Sequence, residues 1–236
     1  GVDVEYAVVV GFAVMGEDVF DLFVDLHAVL LAGARYNVDA AERFDGAFEE
    51  FVGGLDDDRY TLGLNQNQTS VVIESVRKQS SDLGVIFLSD VNRRHMERVL
   101  EDNNLAFHRL VQARPHAFLS VTHPLAGRRS IRTDELMEYP CIVYEQTADS
   151  PGFFSEEMML PNFYPPKVVY ISDLYVSTAL MRSCNAYDVG PGVISPRLAR
   201  EVACVPIETE DTVDIGWISI RGRALRPIEE AFLACM

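Results

Sequence analysis

The sequence is poor in cysteine, in basic residues and in long apolar runs. Its 236 residues include four cysteines, Cys141, Cys184, Cys204 and Cys235, and no two of them form a C-x-x-C pair. A zinc knuckle or a dithiol redox motif is therefore excluded, and all four are expected to be buried thiols in a reducing cytoplasm. No stretch reaches the roughly 18 apolar residues of a membrane span. The longest candidate, residues 20–34, is broken by Asp21, Asp25 and His27. Residues 1–5 carry no cation, so they do not read as a secretory signal. Lys and Arg number 20 against 36 Asp and Glu, a net charge of −16. Such a surface repels phosphate backbones, so the chain is not expected to hold DNA by itself.

Motifs for chemistry are missing as well. There is no G-x-S-x-G elbow for a nucleophilic serine. The G-P-G at residues 190–192 lacks the third glycine and the strand-to-helix setting of a dinucleotide site. His95, His108, His116 and His123 form no H-x-x-x-H pair, so no metal site is expected. Carboxylates are plentiful, but abundance does not define an acid/base pair. The expectation is a chain without enzyme activity, cofactor or metal.

What is present is alternation of strand-like and helix-like segments. Residues 18–31 place Phe20, Phe23, Val24, Leu30 and Leu31 on one helical stripe, with His27 as a packed interface residue. Residues 35–38 read as a short strand. Phe44, Phe48, Phe51, Val52 and Leu55 follow an amphipathic helix stopped by Gly53 and Gly54. Residues 59–64 alternate as a strand, and Asn65 to Gln68 form a polar loop. Thr69 or Ser70 then caps a helix running to Lys78. The apolar run D-L-G-V-I-F-L at 82–88 has the character of a strand buried on both faces. A helix over 92–100 follows. The order then repeats: strands at 117–121, 141–144 and 168–171, helical stretches at 133–136 and 155–160, and a helix capped by Ser172 or Asp173 that runs to Cys184. A turn and short strand occupy 187–194. Residues 213–220 alternate weakly around Trp217, and Leu225, Ile228, Ala231, Phe232 and Cys235 mark a closing helix. Strand–helix alternation of this kind implies parallel strands with right-handed crossovers, so the fold class is α/β with two lobes. Pattern alone does not assign the last strand and helix to either lobe.

Several of these segments, in this order, resemble the effector domain of LysR-type transcriptional regulators. They are the D-L-G-V strand at 82–85, H-P-L-A at 123–126 followed by Asp134-Glu135-Leu136 and Pro140, G-P-G-V-I at 190–194, V-P-I at 205–207, and the closing helix. The resemblance spans about residues 35–236. Q-T-S at 68–70, Asn103 with its neighbours, and F-S-E-E at 154–157 are similar to a branch of anaerobic Gram-positive bacteria. It implies two Rossmann-like lobes joined by two crossover strands, a type II periplasmic-binding-protein arrangement, with crossings near 114–118 and 206–213. Lobe I is then 35–113 with 213–236, and lobe II is 114–212. Residues 1–34 read as a wing remnant and linker helix, so DNA is expected to be reached only through an N-terminal winged helix-turn-helix outside this chain. The resemblance also implies a cytoplasmic homodimer or homotetramer, built from a lobe-one helix (44–55 or 71–78) against lobe two of a partner. The helix at 18–31 would be a second interface.

Such lobes bind ligands beyond the carboxyl ends of their parallel strands, where helix starts aim N–H groups at the cleft. The candidate effector residues are Ala40, Ala41, Arg43, Gln68, Thr69, Ser70, Ser89, Glu145, Gln146, Thr147, Ser172, Asp173 and Gly190. Phe153 and Phe154 either close the cleft or fill the second core. Hydroxyl and N–H donors suit a small carboxylate or another compact polar molecule, and Arg43 is the nominated cation. The expected function is effector sensing. The alternatives are a solute-binding protein of a transporter, which would need export, and an enzyme on the same two-lobe fold, which would need a catalytic cluster in the cleft.

Overall fold

The computed structural model describes residues 7–12, 29–32, 47–48, 50–55, 61–67, 69–144, 159–171, 174–192 and 198–236. In chain order the strands are β1 (Ala7–Phe12), β2 (Val29–Ala32), β3 (Thr61–Asn67), β4 (Gly84–Ser89), β5 (Leu105–Ala113), β6 (His116–Ser120), β7 (Cys141–Tyr144), β8 (Val168–Ile171), β9 (Tyr187–Gly190), β10 (Val202–Pro206) and β11 (Val213–Ile220). The helices are α1 (Thr69–Arg77), α2 (Arg93–Asp102), α3 (Thr133–Leu136), α4 (Leu174–Cys184) and α5 (Pro227–Ala234). The strands form two sheets. One has the order β1-β3-β2-β4-β11-β5, the other β10-β6-β9-β7-β8.

β1, β3, β2 and β4 run parallel, as strand–helix alternation requires. β11 runs antiparallel to both of its neighbours, and β6 runs antiparallel to β9 and β10. The sheets are therefore mixed where only parallel strands are expected from the alternation. The physical reason is the exchange between sheets. The chain leaves the first sheet after Ala113, enters the second at His116, and returns from Pro206 to Val213 through a short segment with bends at residues 208 and 210.

Burial follows side-chain alternation. All six residues of β4 are buried. Ile86 and Leu88 pack with Val72, Val76, Met96 and Leu100 beneath α1 and α2. Val85 and Phe87 face the opposite way, into a cluster with Phe51 and Phe232, whose rings meet edge to face at 5.5 Å. That cluster is continuous with Leu119, Leu136 and Tyr187 of the second sheet's side. Phe118, Ile142, Ile171 and Met181 fill the second sheet's other face, under α4.

Several expectations are corrected. Residues 29–31, placed by periodicity at the end of a helix, lie in β2, which pairs with β3 on one side and β4 on the other. A short apolar run cannot be assigned by period alone, and hydrogen-bond partners on both edges decide for strand. Residues 18–28 lie outside the described residues, so the rest of that helix and its proposed interface role do too. The expected loop at 65–68 begins inside β3, which runs through Asn67. β5 has no counterpart in the pattern reading, because its residues 108–112 are exposed and carry little alternation. Residues 159 and 160 form a turn rather than the end of a helix. Cys184 is exposed, and of the four thiols only Cys141 is fully buried.

The H-P-L-A histidine is structural. His123 is 4% exposed. Its Nδ1 accepts the Leu125 N–H at 3.0 Å, and Nε2 donates to the Asn185 carbonyl at 3.1 Å. Its ring meets Tyr139 edge-on at 4.4 Å. Burial holds the imidazole below its ordinary pKa, opposed by the Asn185 hydrogen bond. Burial lowers His108 in the same direction. A protonated His123 would lose the acceptor for Leu125. Since the folded value is depressed, this stability is full above about 6.5 and is lost as pH falls through the window below it. His123→Leu is expected to cost about 2 kcal/mol at pH near 7.5, mostly from the orphaned Leu125 N–H. It should also flatten the acid-side fall in the urea midpoint, with the His108 share remaining. An unchanged slope would remove His123 from the titration.

Candidate functional site

The turn after β4 begins the site. Asn92 Oδ1 accepts the Ser89 N–H at 2.9 Å, and Ser89 Oγ accepts the Asn92 N–H at 3.2 Å. This reciprocal pair starts α2 and fixes the Ser89 side chain, which is 2% exposed. Asp90 Oδ2 accepts the Thr212 N–H at 2.6 Å and the Thr212 hydroxyl at 3.0 Å, and the Asp90 N–H returns a bond to the Thr212 carbonyl at 3.2 Å. The turn is thereby fastened to the segment that carries the chain back from the second sheet. Just beyond, buried Asp214 receives Arg93 at 2.9 Å and Gln112 at 3.0 Å, joining α2, β5 and β11.

Fixed in this way, Val91 reaches a cavity of about 490 Å³ whose other walls belong to the second sheet and its loops. β7 contributes Cys141, Ile142 and Val143, β8 contributes Val168 and Tyr170, and β9 contributes Asp188 and Val189. The segment from Leu160 to Pro165 supplies the remaining wall, including Phe163 and Tyr164. A largely apolar concavity of this size is typical of small-molecule sites. Asp188 is 3% exposed, and its Oδ1 accepts the Val189 N–H at 2.7 Å. Cys141 pairs in register with Tyr187 across β7 and β9. Burial, and after it the neighbouring Cys141, push the Tyr187 phenol above its ordinary range, so it stays a neutral hydroxyl.

Four of the thirteen candidate effector residues are described. Thr69, 4% exposed, and Ser70 open α1, Ser89 ends β4, and Gly190 ends β9. None of the four lines the cavity, although Gly190 directly follows Val189, which does, and Ser89 stands two residues before Val91. Ala40, Ala41, Arg43, Gln68, Glu145, Gln146, Thr147, Ser172 and Asp173 lie outside the described residues, as do Phe153 and Phe154. Sequence reading missed the wall from Leu160 to Pro165. Its signal was available in Asn162-Phe163-Tyr164-Pro165-Pro166, two aromatics held between turn-forming residues. The turn residue Asn162 has a φ of +59°. The G-P-G motif serves backbone geometry: Gly192 has a φ of +77°, and a Cβ there would stand 2.2 Å from the His116 ring.

Among the described residues no group of three or more His, Cys, Asp or Glu could hold a metal ion, and no helix is long and apolar enough to cross a membrane. The model of the LysR substrate binding domain family matches residues 59–236. The chain belongs to this family. It is an effector-sensing regulatory domain of a LysR-type transcriptional regulator, with the type II periplasmic-binding-protein fold. Solved structures agree on the fold. The effector-binding domain of QuiR in complex with shikimate is similar at a TM-score of 0.57 and 16% identity, over 87% of this chain and 91% of that one. HinK, a LysR family regulator from Pseudomonas aeruginosa, matches at 0.56 and 13%, over 87% and 67%. The BenM effector-binding domain with its effector benzoate matches at 0.55 and 12%, over 87% of each chain. No match was found among curated protein sequences.

Proposed function

We propose that this LysR-type domain senses a small molecule held between its two lobes and relays occupancy, through a dimer, to a DNA-binding domain. The cavity carries this reading: four chain segments of the second lobe line it, and Val91 of the first lobe completes it. A ligand touching both sides stabilises the lobe arrangement in which both sides are present. It shifts the population by its differential affinity for the alternatives and by no more. The turn bearing Val91 is bonded to Thr212 in the returning segment, so a change at the cavity reaches the inter-lobe connection directly.

The candidate residues at the helix starts, Thr69 and Ser70 with Gln68, Ser172 and Asp173, are proposed to bound the effector on the sides the cavity walls leave open. The role is binding without catalysis, in the cytoplasm, with no metal or cofactor. The dimer is proposed to use a first-lobe helix, α1 or the helix through residues 50–53, against the second lobe of its partner.

A thermal-shift screen of small metabolites against the whole chain tests the reading. A true effector at a hundred times its Kd should add about 2.7 kcal/mol to apparent stability. Thr69→Ala is expected to weaken that effector about tenfold while leaving the oligomer intact, as read by calorimetry and sedimentation. Unchanged affinity would remove Thr69 from the site. Turnover of the stabilising ligand would favour the enzyme alternative. Absence of a ligand-dependent mobility shift on operator DNA, with the full-length gene product, would favour a solute carrier.

A further inference from the structure

We infer that the outer edge of β5 is a docking strand for an extended acidic segment of a partner protein. β5 is nine residues long and ends the first sheet, with β11 as its ladder partner. Residues 108–112 are exposed in succession, Leu110 and Val111 at 36% and 39%. Successive strand residues point to opposite faces, so exposure of five in a row means that neither face is covered there and that the outer edge is open. Along that edge every second residue turns its N–H and C=O away from β11, which is a template for one more strand. The edge is distinct from the cavity, whose described lining includes no residue of β5.

Charge selects the occupant. Between Asp102 and Asp134 the sequence holds no Asp or Glu, although acids outnumber bases by 36 to 20 over the chain. β5 and the crossover after it carry Arg109 and Arg114, both exposed. Arg109 stands 3.7 Å from Asp214, a carboxylate that Arg93 already holds at 2.9 Å, and Arg114 stands 3.9 Å from the exposed Glu210. Pairs this long and this exposed contribute little, so both guanidinium groups can turn to an incoming carboxylate at small cost. A second copy fits poorly. Two β5 strands paired edge to edge would bring like charges together, and the register shift at Ile215/Gly216 twists the ladder there. A strand of alternating acidic and apolar residues meets no such repulsion. Its carboxylates reach the arginines, and its apolar side chains lie along Leu110 and Val111. The net charge of −16 disfavours a nucleic acid in the same place.

Trp217, the single tryptophan of the chain, stacks on His108 of β5 at 3.9 Å and so reports on this edge. The experiment titrates the whole chain near neutral pH with two capped hexapeptides, Glu-Val-Glu-Val-Glu-Val and Lys-Val-Lys-Val-Lys-Val. Trp217 fluorescence and residue-resolved hydrogen exchange are followed together. The acidic peptide is expected to bind at least about tenfold more tightly than the basic one, to shift the Trp217 emission and to slow exchange of outward amides in residues 106–112. Arg109→Gln with Arg114→Gln should weaken the acidic peptide about tenfold with an unchanged melting curve. If that variant does not fold, salt at about 1 M, where the screening length falls to about 3 Å, should weaken the peptide by a similar factor. Equal binding of the two peptides, no binding of either, protection confined to residues outside β5, or the same response to an oligothymidylate overturns the proposal. So does concentration-dependent protection of β5 in the chain alone, which would make a second copy the occupant.

Discussion

A chain beginning at residue 59, where the family match starts, is expected to lose cooperative folding of the first lobe, while a chain beginning at residue 28 keeps it. The reason is β2. It lies third in the first sheet and joins β3, through pairs from Val29↔Leu64 to Ala32↔Asn67, to β4 through Leu30↔Gly84 and Leu31↔Val85. The chain from residue 59 lacks β1 as well, so β3 loses both of its neighbours and has no ladder to the rest of the sheet. β4, buried along its whole length, would then present unpaired backbone groups on one edge within the core. Buried backbone groups without partners each cost about 1–3 kcal/mol, and a domain of this size is stable by only about 5–15 kcal/mol. The start at residue 28 removes only β1, an edge strand paired on one side. Circular dichroism melts, with a hydrophobic dye for exposed core, distinguish the two chains. A 59–236 chain that melts as sharply and as high as the whole chain would show that β2 is dispensable.

The second large effect is expected at Glu229. Its carboxylate is 0% exposed and starts α5. Oε1 and Oε2 each accept from Arg223 Nη1 at 3.0 Å, Arg226 Nε donates to Oε1 at 2.7 Å, and the Arg226 N–H donates to Oε2 at 2.9 Å. The same arginines hold the turn before β4. Arg226 pairs with Asp82 Oδ1 at 2.6 Å, and Arg223 donates to the Asp82 carbonyl at 3.0 Å. Burial pushes the Asp82 carboxyl above the usual carboxylate range, against the pull of Arg226. Glu229→Ala removes the acceptor shared by two guanidinium groups and one backbone donor. Breaking a buried pair from one side typically costs about 3–5 kcal/mol, against about 0–1 kcal/mol for exposed pairs such as Arg182–Glu201. The urea midpoint of Glu229→Ala should therefore fall far more than that of Glu201→Ala, with little change in the slope of the transition. Equal shifts would mean that the buried cluster contributes no more than a surface pair. Replacing Glu229, Arg223, Arg226 and Asp82 together by apolar residues of similar size should restore most of the loss, since no buried charge is then left uncompensated.

Much of the strand and helix content was legible because it depends on local chemistry. The run at 82–88 reads as a strand covered on both faces because seven residues with one turn-compatible glycine and almost no polarity fit nothing else at that length. α1 and α2 were readable as helices, although Thr69 and Ser70, read as caps, are the first two residues of α1 itself. The H-P-L-A tetrapeptide marked the second lobe, but what His123 does there became visible only when Asn185, sixty-two residues away, supplied its acceptor. The candidate site was less legible. Helix starts point to where a ligand can lie, yet the described cavity is walled by β7, β8, β9 and a turn whose residues carry no binding motif. A cavity is made of the space between side chains, and spacing along one chain does not encode that space.

By itself the sequence determined the acidic charge, the absence of catalytic and metal motifs, the alternation that makes an α/β chain, and the ordered motifs that place it among LysR-type sensors. Only the tertiary structure decided that residues 29–32 are strand, that β11 runs antiparallel between β4 and β5, that Glu229 is held by two arginines, and that Val91 faces the second lobe. Each of these depends on partners distant in the chain, and the free energy of such pairing exceeds the small local preference that a short segment carries.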